Sequence, residues 1–361
     1  MRSKEGVGMI HISRTMKGSL LLVSCPTTYG VGGLGQHLSK VREDSISDGF
    51  EVGVYCSGGI ETPYRIDSEW ESKWFRWPPF RWRPSLKVWF RHERFDRAVA
   101  QRLVPAKVVT AFMGGALHTF KRARELGVQK LVLEMPNSHP DNVRALHAAA
   151  IRSHPLEQSW MGTAFSRRVA AELEMADEVR TNSDYTTESA VAAGVDPRKI
   201  VRRHLGCDPR FSAIRRIPHP HGLRVVVLVG SLTLFKGVPL LVEAFRTLEG
   251  SDLRLLLIGG WSSRAMRVWL ERARALDPRL SWTTGDPAPH LATASLFVHP
   301  SWEDGWGYSP AEALAAKVPL VVSDQTGMKE LLREGGGDVL PVGNSKVWTD
   351  WLHAWAARTA T

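Results

Sequence analysis

At 361 residues, with 43% hydrophobic and 23% charged side chains, the chain is long enough for two domains and has the composition of a soluble globular protein. Its net charge of +10 calls for an anionic partner: nucleic acid, an acidic membrane face or a phosphorylated small molecule. No apolar run approaches the roughly 18 residues of a membrane span, and Cys25, Cys56 and Cys207 are too scattered for a disulfide scaffold or a zinc site, which fits a reducing compartment.

Residues 1–18 carry no fold signal and are read as an N-terminal extension. "SLLLVSC" (residues 19–25) is a continuous apolar run, as in a strand buried on both faces. A glycine-rich loop, "PTTYGVGGLG", a helical stretch over 36–49 and a strand at 50–56 follow. This succession opens a doubly wound sheet. The stretch 69–95 interleaves Trp and Arg and is broken by Pro78, Pro79 and Pro84. It reads either as a loop whose tryptophans pack on the first domain or as a surface docking on an anionic membrane. Stacking on nucleic-acid bases also suits Arg and aromatics, but two doubly wound halves fit nucleic-acid binding poorly. Further strands are expected at 107–113, 130–135 and 178–183.

The pattern then restarts. Residues 209–222 are rich in Pro, His and Arg, lack periodicity and read as a linker. A second strand–loop–helix–strand unit occupies 223–260, and strands are expected at 295–300 and 319–324. The division is therefore a first Rossmann-like domain over 19–208, a second over 223–343 and a C-terminal helix over 344–361. Each half begins with a loop at a strand's carboxyl end, so the two domains should face one cleft.

Three groups of residues can carry chemistry. Gly32 and Gly33 stand where a strand turns into a helix, so backbone amides can approach a phosphate; a plain tight turn would need the same glycines. No acid ends the second strand, which argues against a nicotinamide enzyme. In the second loop, Lys236 and Gly237 precede a helix start, a suitable place to hold a diphosphate. The spacing is not that of a P-loop. Last, "WEDGWGYSPAE" (residues 302–312) brings Glu303, Asp304 and Glu312 together. Ser309 and Glu312 match a capping box, with Ser309 as N-cap. That accounts for Glu312 without a ligand, but not for Glu303, Asp304, Gly305 and Gly307.

The segment 299–332 resembles the C-terminal signature of the retaining GT-B glycosyltransferases of the group 1 (family 4) type: an acid, Gly-aromatic-Gly, and a second acid eight positions after the first. The segment 229–245 is similar to that family's Lys-Gly donor loop, 177–211 to its inter-domain segment and 29–38 to its glycine loop. The four motifs fall in the same order. The resemblance implies a GT-B fold and transfer of a sugar from a nucleotide-diphosphate sugar to a glycan or lipid-linked acceptor in cell-envelope polysaccharide biosynthesis. It implies that Lys236 with the amides of Gly32 and Gly33 neutralises the diphosphate, that Glu312 holds the ribose and that Asp304 holds the transferred sugar. Gly237, Glu303, Gly305, Trp306, Gly307, Tyr308 and Ser309 would border the donor. A first-domain histidine is expected beside the sugar: His139, with His118 as rival.

Cationic side chains would replace a metal, so no cofactor is expected, and no nucleic-acid partner. A cytoplasmic location follows, with a peripheral contact at the inner membrane face through residues 70–95. Asp304 stands where the family usually has Glu, Ser231 where a donor-loop Arg is common, and Gly260-Trp261 where Gly-Asp-Gly is usual. The alternatives are a catalytically silent binding module of the same fold and a sugar-nucleotide epimerase.

Overall fold

The computed structural model describes residues 18–66, 83–332 and 335–359. Two parallel sheets organise them. The first contains β1 (Leu20–Ser24), β2 (Glu51–Tyr55), β3 (Val108–Phe112), β4 (Lys130–Met135), β5 (Glu178–Thr181) and β6 (Ile200–Arg202), in the order β2-β1-β3-β4-β5-β6. The second contains β7 (Arg224–Val229), β8 (Leu253–Ile258), β9 (Leu280–Thr283), β10 (Leu296–His299), β11 (Leu320–Ser323) and β12 (Gly337–Leu340), in the order β12-β11-β10-β7-β8-β9. Every strand predicted from an apolar run is present. The strands that escaped prediction, β6, β9 and β12, lie at sheet edges, where half-exposed positions break the apolar run.

The strand order reverses between β1 and β3 in the first sheet and between β7 and β10 in the second. At such points the outgoing loops diverge and leave a crevice beyond the strands' carboxyl ends. The glycine loop follows β1, the lysine loop follows β7 and the acid-bearing loop follows β10, so the topology alone aims all three at one cleft.

One feature differs from expectation. Residues from Pro84 onward form a helix, Pro84–Arg102, with Pro84 in its first turn, where a missing N–H costs nothing. It buries Phe95, Asp96 and Val99 against the first domain. Residues 67–82, which include Trp74, Trp77 and Trp82 of the proposed membrane surface, lie outside the described residues, as do residues 1–17. The C-terminal helix, Ser345–Arg358, packs on Val238–Arg246 of the second domain and buries Trp348, Leu352 and Trp355. Among the described residues, no helix is long and apolar enough to cross a membrane.

Candidate functional site

The lysine loop is built by steric necessity. Thr233 caps a short turn, Leu234–Lys236, and Gly237 ends it with φ +72°. A Cβ at Gly237 would overlap the Pro300 carbonyl oxygen, so the position is closed to other residues. This geometry puts Lys236 Nζ 2.6 Å from Asp304 Oδ2. His299 Nε2 lies 3.1 Å from the same oxygen. Burial would raise the Asp304 carboxyl, but Lys236 and His299 outweigh it and hold Asp304 well below the usual carboxylate range.

A first-domain residue that sequence reasoning missed braces this loop. The Glu157 carboxylate accepts from the Leu234 N–H at 2.7 Å and from the hydroxyls of Thr233 and Ser262. Beside it, His147 stacks on Phe235 with ring centroids 3.8 Å apart. Burial, and secondarily Lys236, holds His147 down to about 3, so the ring is neutral at neutral pH. Neither residue stands in a motif.

The acid-bearing loop separates its three carboxylates. Glu303 is buried and faces the first domain, accepting from the Ser138 N–H and from Asn137 Nδ2, each at 2.9 Å. Burial raises its carboxyl above the ordinary range against the opposing Ser138 bond. Gly305 is pressed against the first domain as well. A Cβ there would overlap the Pro136 carbonyl oxygen, and its own carbonyl accepts from Ser183 Oγ at 2.6 Å. Glu303 and Gly305 thus meet the other domain directly.

The predicted capping box is absent. The helix runs Tyr308–Ala315 and its N-cap is Gly307, at φ +92°. Ser309 is therefore inside the first turn and caps nothing. Its predicted role fails because the helix starts earlier, at Gly307, whose left-handed backbone leaves no room for a Cβ beside Pro310, Thr326 and Met328. Freed from capping, Glu312 turns toward a recess shared with Gly30, Gln36, Cys207, Arg210 and Tyr308. Burial pushes its carboxyl up to about 7, against the pull of Arg210 and Gln36.

On the first domain, Gly32 (φ +65°) opens the helix Gly32–Ser47, which has no side-chain cap and no acid in its first turn. Its N–H groups are therefore available to an anion. Gly33 packs close to the Tyr308 ring, with space for a Cβ 3.4 Å from Cδ2. Between the domains lies a cavity of about 410 Å³. Gly33, Lys236, Asp304, Trp306, Gly307 and Tyr308 reach it, as do His37 and His92. Trp306 Nε1 and the Tyr308 hydroxyl are buried there without a hydrogen-bond partner among the described residues.

The two predicted histidines lie elsewhere. His139 caps the helix Pro140–Ser153 through Nδ1 and lines a separate recess with Asp141, Asn142 and Tyr185. His118 is bound to Glu93, 2.9 Å from Nε2. His37 and His92 take the places nearer the cleft. His37 stands 3.4 Å from Glu134, and burial holds His92 down to about 3.

Residues 223–355 match the family model of the glycosyl transferases group 1. The D-inositol 3-phosphate glycosyltransferase of Corynebacterium glutamicum is 30% identical over 165 residues, 41% of this chain and 37% of that protein. The chain spans less than half the length of the curated relatives it matches. Two solved structures share the fold across both domains. Anabaena HepE in complex with UDP-glucose superposes with a TM-score of 0.63 at 15% identity, covering 95% of this chain and 91% of that one. WaaG, a glycosyltransferase involved in lipopolysaccharide biosynthesis, gives 0.67 at 16% identity, covering 94% and 91%. The second domain thus matches the glycosyl transferases group 1, and the two domains together have the fold of these solved glycosyltransferases.

Proposed function

We propose that the protein transfers a sugar from a nucleotide-diphosphate sugar to a glycan or lipid-linked acceptor, with retained anomeric configuration, in the assembly of a cell-envelope polysaccharide. The observation that carries this reading is the Lys236–Asp304 pair, 2.6 Å apart on the cleft face and opposite the uncapped helix at Gly32. Lys236 and the amides of Gly32 and Gly33 stabilise the departing diphosphate, where charge develops. Asp304 accepts hydroxyls of the transferred sugar. Glu312, in the recess beside Gly30 and Arg210, accepts those of the ribose. The bond from the anomeric carbon to the phosphate oxygen breaks, and the bond to the acceptor oxygen forms. The acceptor's proton leaves with the diphosphate. This site is drawn without His139, which lies in its own recess.

The UDP-glucose carried by HepE supports a uridine donor, and the involvement of WaaG in lipopolysaccharide biosynthesis supports an envelope glycan. A cytoplasmic site of action goes with both. Lys236 serves as the cation in place of a metal, so turnover is expected to persist in EDTA; its loss would overturn that part. The decisive experiment is a donor screen by nucleotide release, with and without lipid-linked acceptors. Titration with UDP and GDP accompanies it. Binding of neither nucleotide would favour a silent module of the same fold. Conversion of the donor sugar without acceptor would favour an epimerase.

A further inference from the structure

Beside the polar contacts that fix the lysine and acid loops, the first domain presents an apolar wall to the cleft. Leu34, Val88, Phe112, Met113, Trp160 and Phe165 line the cavity that Lys236 and Asp304 also reach. This wall is fixed in place. Val88 and His92 lie four residues apart on the helix Pro84–Arg102 and so share a face. Arg168 holds that helix to the domain by binding Glu93 and Asp96, with Glu172 at 3.2 Å completing the cluster. Phe165 sets its edge against His92 and Trp160, at centroid distances of 5.0 and 5.9 Å. Gly114 makes room for it, since a Cβ there would overlap the Phe165 ring.

The first-domain wall itself offers no counter-charge. His37 faces Glu134 and the buried His92 ring is neutral at neutral pH, while Lys236, the cation assigned to the diphosphate, stands on the second domain's loop beside Asp304. A phosphate or carboxylate placed against the wall, away from Lys236, would be desolvated without a counter-charge. An acceptor bearing hydroxyls on every side would lose water against aromatic edges. Donors nevertheless wait there, the Tyr308 hydroxyl and the Trp306 indole. Trp306 is 4% exposed, lines the cavity, and its Nε1–H has no partner among the described residues.

We propose that this wall is an acceptor pocket for an alcohol whose hydroxyl stands beside an apolar aryl or alkyl group. The apolar group lies between Val88, Met113, Trp160 and Phe165, and the Trp306 N–H holds an acceptor oxygen. The proposal rests on the transfer reading above and names its acceptor class.

Calorimetric titration of the full chain with phenyl β-glucoside and methyl β-glucoside, each with and without saturating UDP, tests it. The phenyl compound is expected to bind at least tenfold more tightly than the methyl compound, the discrimination an apolar pocket gives for a group of that size. Val88→Asp and Trp160→Ala are each expected to erase the difference while UDP affinity stays at the wild-type value, which also reports that the variants are folded. Equal binding of the two glucosides, no binding of the phenyl compound, or a preference that survives both substitutions would overturn the proposal. Failure of UDP to bind would instead overturn the transfer reading, and the titrations without UDP would still report on the pocket.

Discussion

Replacing Glu312 by Gln should stabilise the protein at alkaline pH and weaken its hold on nucleotide. Burial raises the Glu312 carboxyl from about 4.5 to about 7 in the folded chain. The folded state therefore binds this proton more tightly than the unfolded state does. The resulting stability is fully present below pH 4.5 and is lost as the pH rises toward 7, above which the buried carboxylate works against folding. A rise of this size corresponds to roughly 3 kcal/mol. Water in the open recess screens part of it and leaves about 2 kcal/mol, equivalent to a Tm difference of roughly 4–8 °C. Gln stays neutral throughout. Thermal unfolding at pH 4.5 and pH 8 should show coincident Tm values at the lower pH and a higher Tm for Glu312→Gln at the upper one. The same substitution should weaken UDP binding at pH 8 by about tenfold, because one charged acceptor facing the ribose becomes neutral. A Tm difference that is the same at both pH values would refute the burial argument. Unchanged UDP affinity would refute the ribose assignment.

Lys236→Ala should lower donor turnover at least about 100-fold in a nucleotide-release assay, because it removes the cation from the developing diphosphate charge. Gly237→Ala should destabilise the second domain by roughly 3 kcal/mol in denaturant unfolding, since φ +72° and the Pro300 carbonyl both oppose a Cβ. Gly305→Ala acts on the domain contact instead. Small-angle scattering should show a larger radius of gyration with an unchanged far-UV circular dichroism spectrum. Glu303→Ala should lower turnover while leaving UDP affinity unchanged, because its carboxylate binds Asn137 and Ser138 of the other domain; weaker UDP binding in this variant would place Glu303 at the donor.

Neighbouring residues in the same loop show how unevenly the site was legible. The family resemblance separated Asp304 from Glu303, through the spacing to Glu312 and the Gly-Trp-Gly that follows, and the structure gives the two side chains opposite surroundings. What Glu303 touches was not legible, because Asn137 and Ser138 stand about 165 residues away in the chain. The Ser309–Glu312 pattern satisfied a local capping rule that the structure does not obey. Gly307 caps the helix at φ +92°, where a Cβ would press on Thr326 and Met328, and no local window contains those two residues. His139 was chosen for its place after a strand. His92, which reaches the cavity, sits on a helix that the prolines had made look irregular.

Sequence by itself determined the layers and the loops. Apolar runs too continuous for a half-exposed sheet forced strands buried on both faces, and glycines and a lysine after those strands marked the carboxyl-end loops of two doubly wound halves. Only the tertiary structure decided what those loops meet. It pressed Gly305 on Pro136, braced the lysine loop with Glu157, paired Lys236 with Asp304 and lined the first-domain wall with apolar side chains. The division has a physical origin. Strand burial and turn geometry are set by a residue and its near neighbours, whereas burial of a charge and choice of its partner depend on chain segments that meet only when both domains have folded.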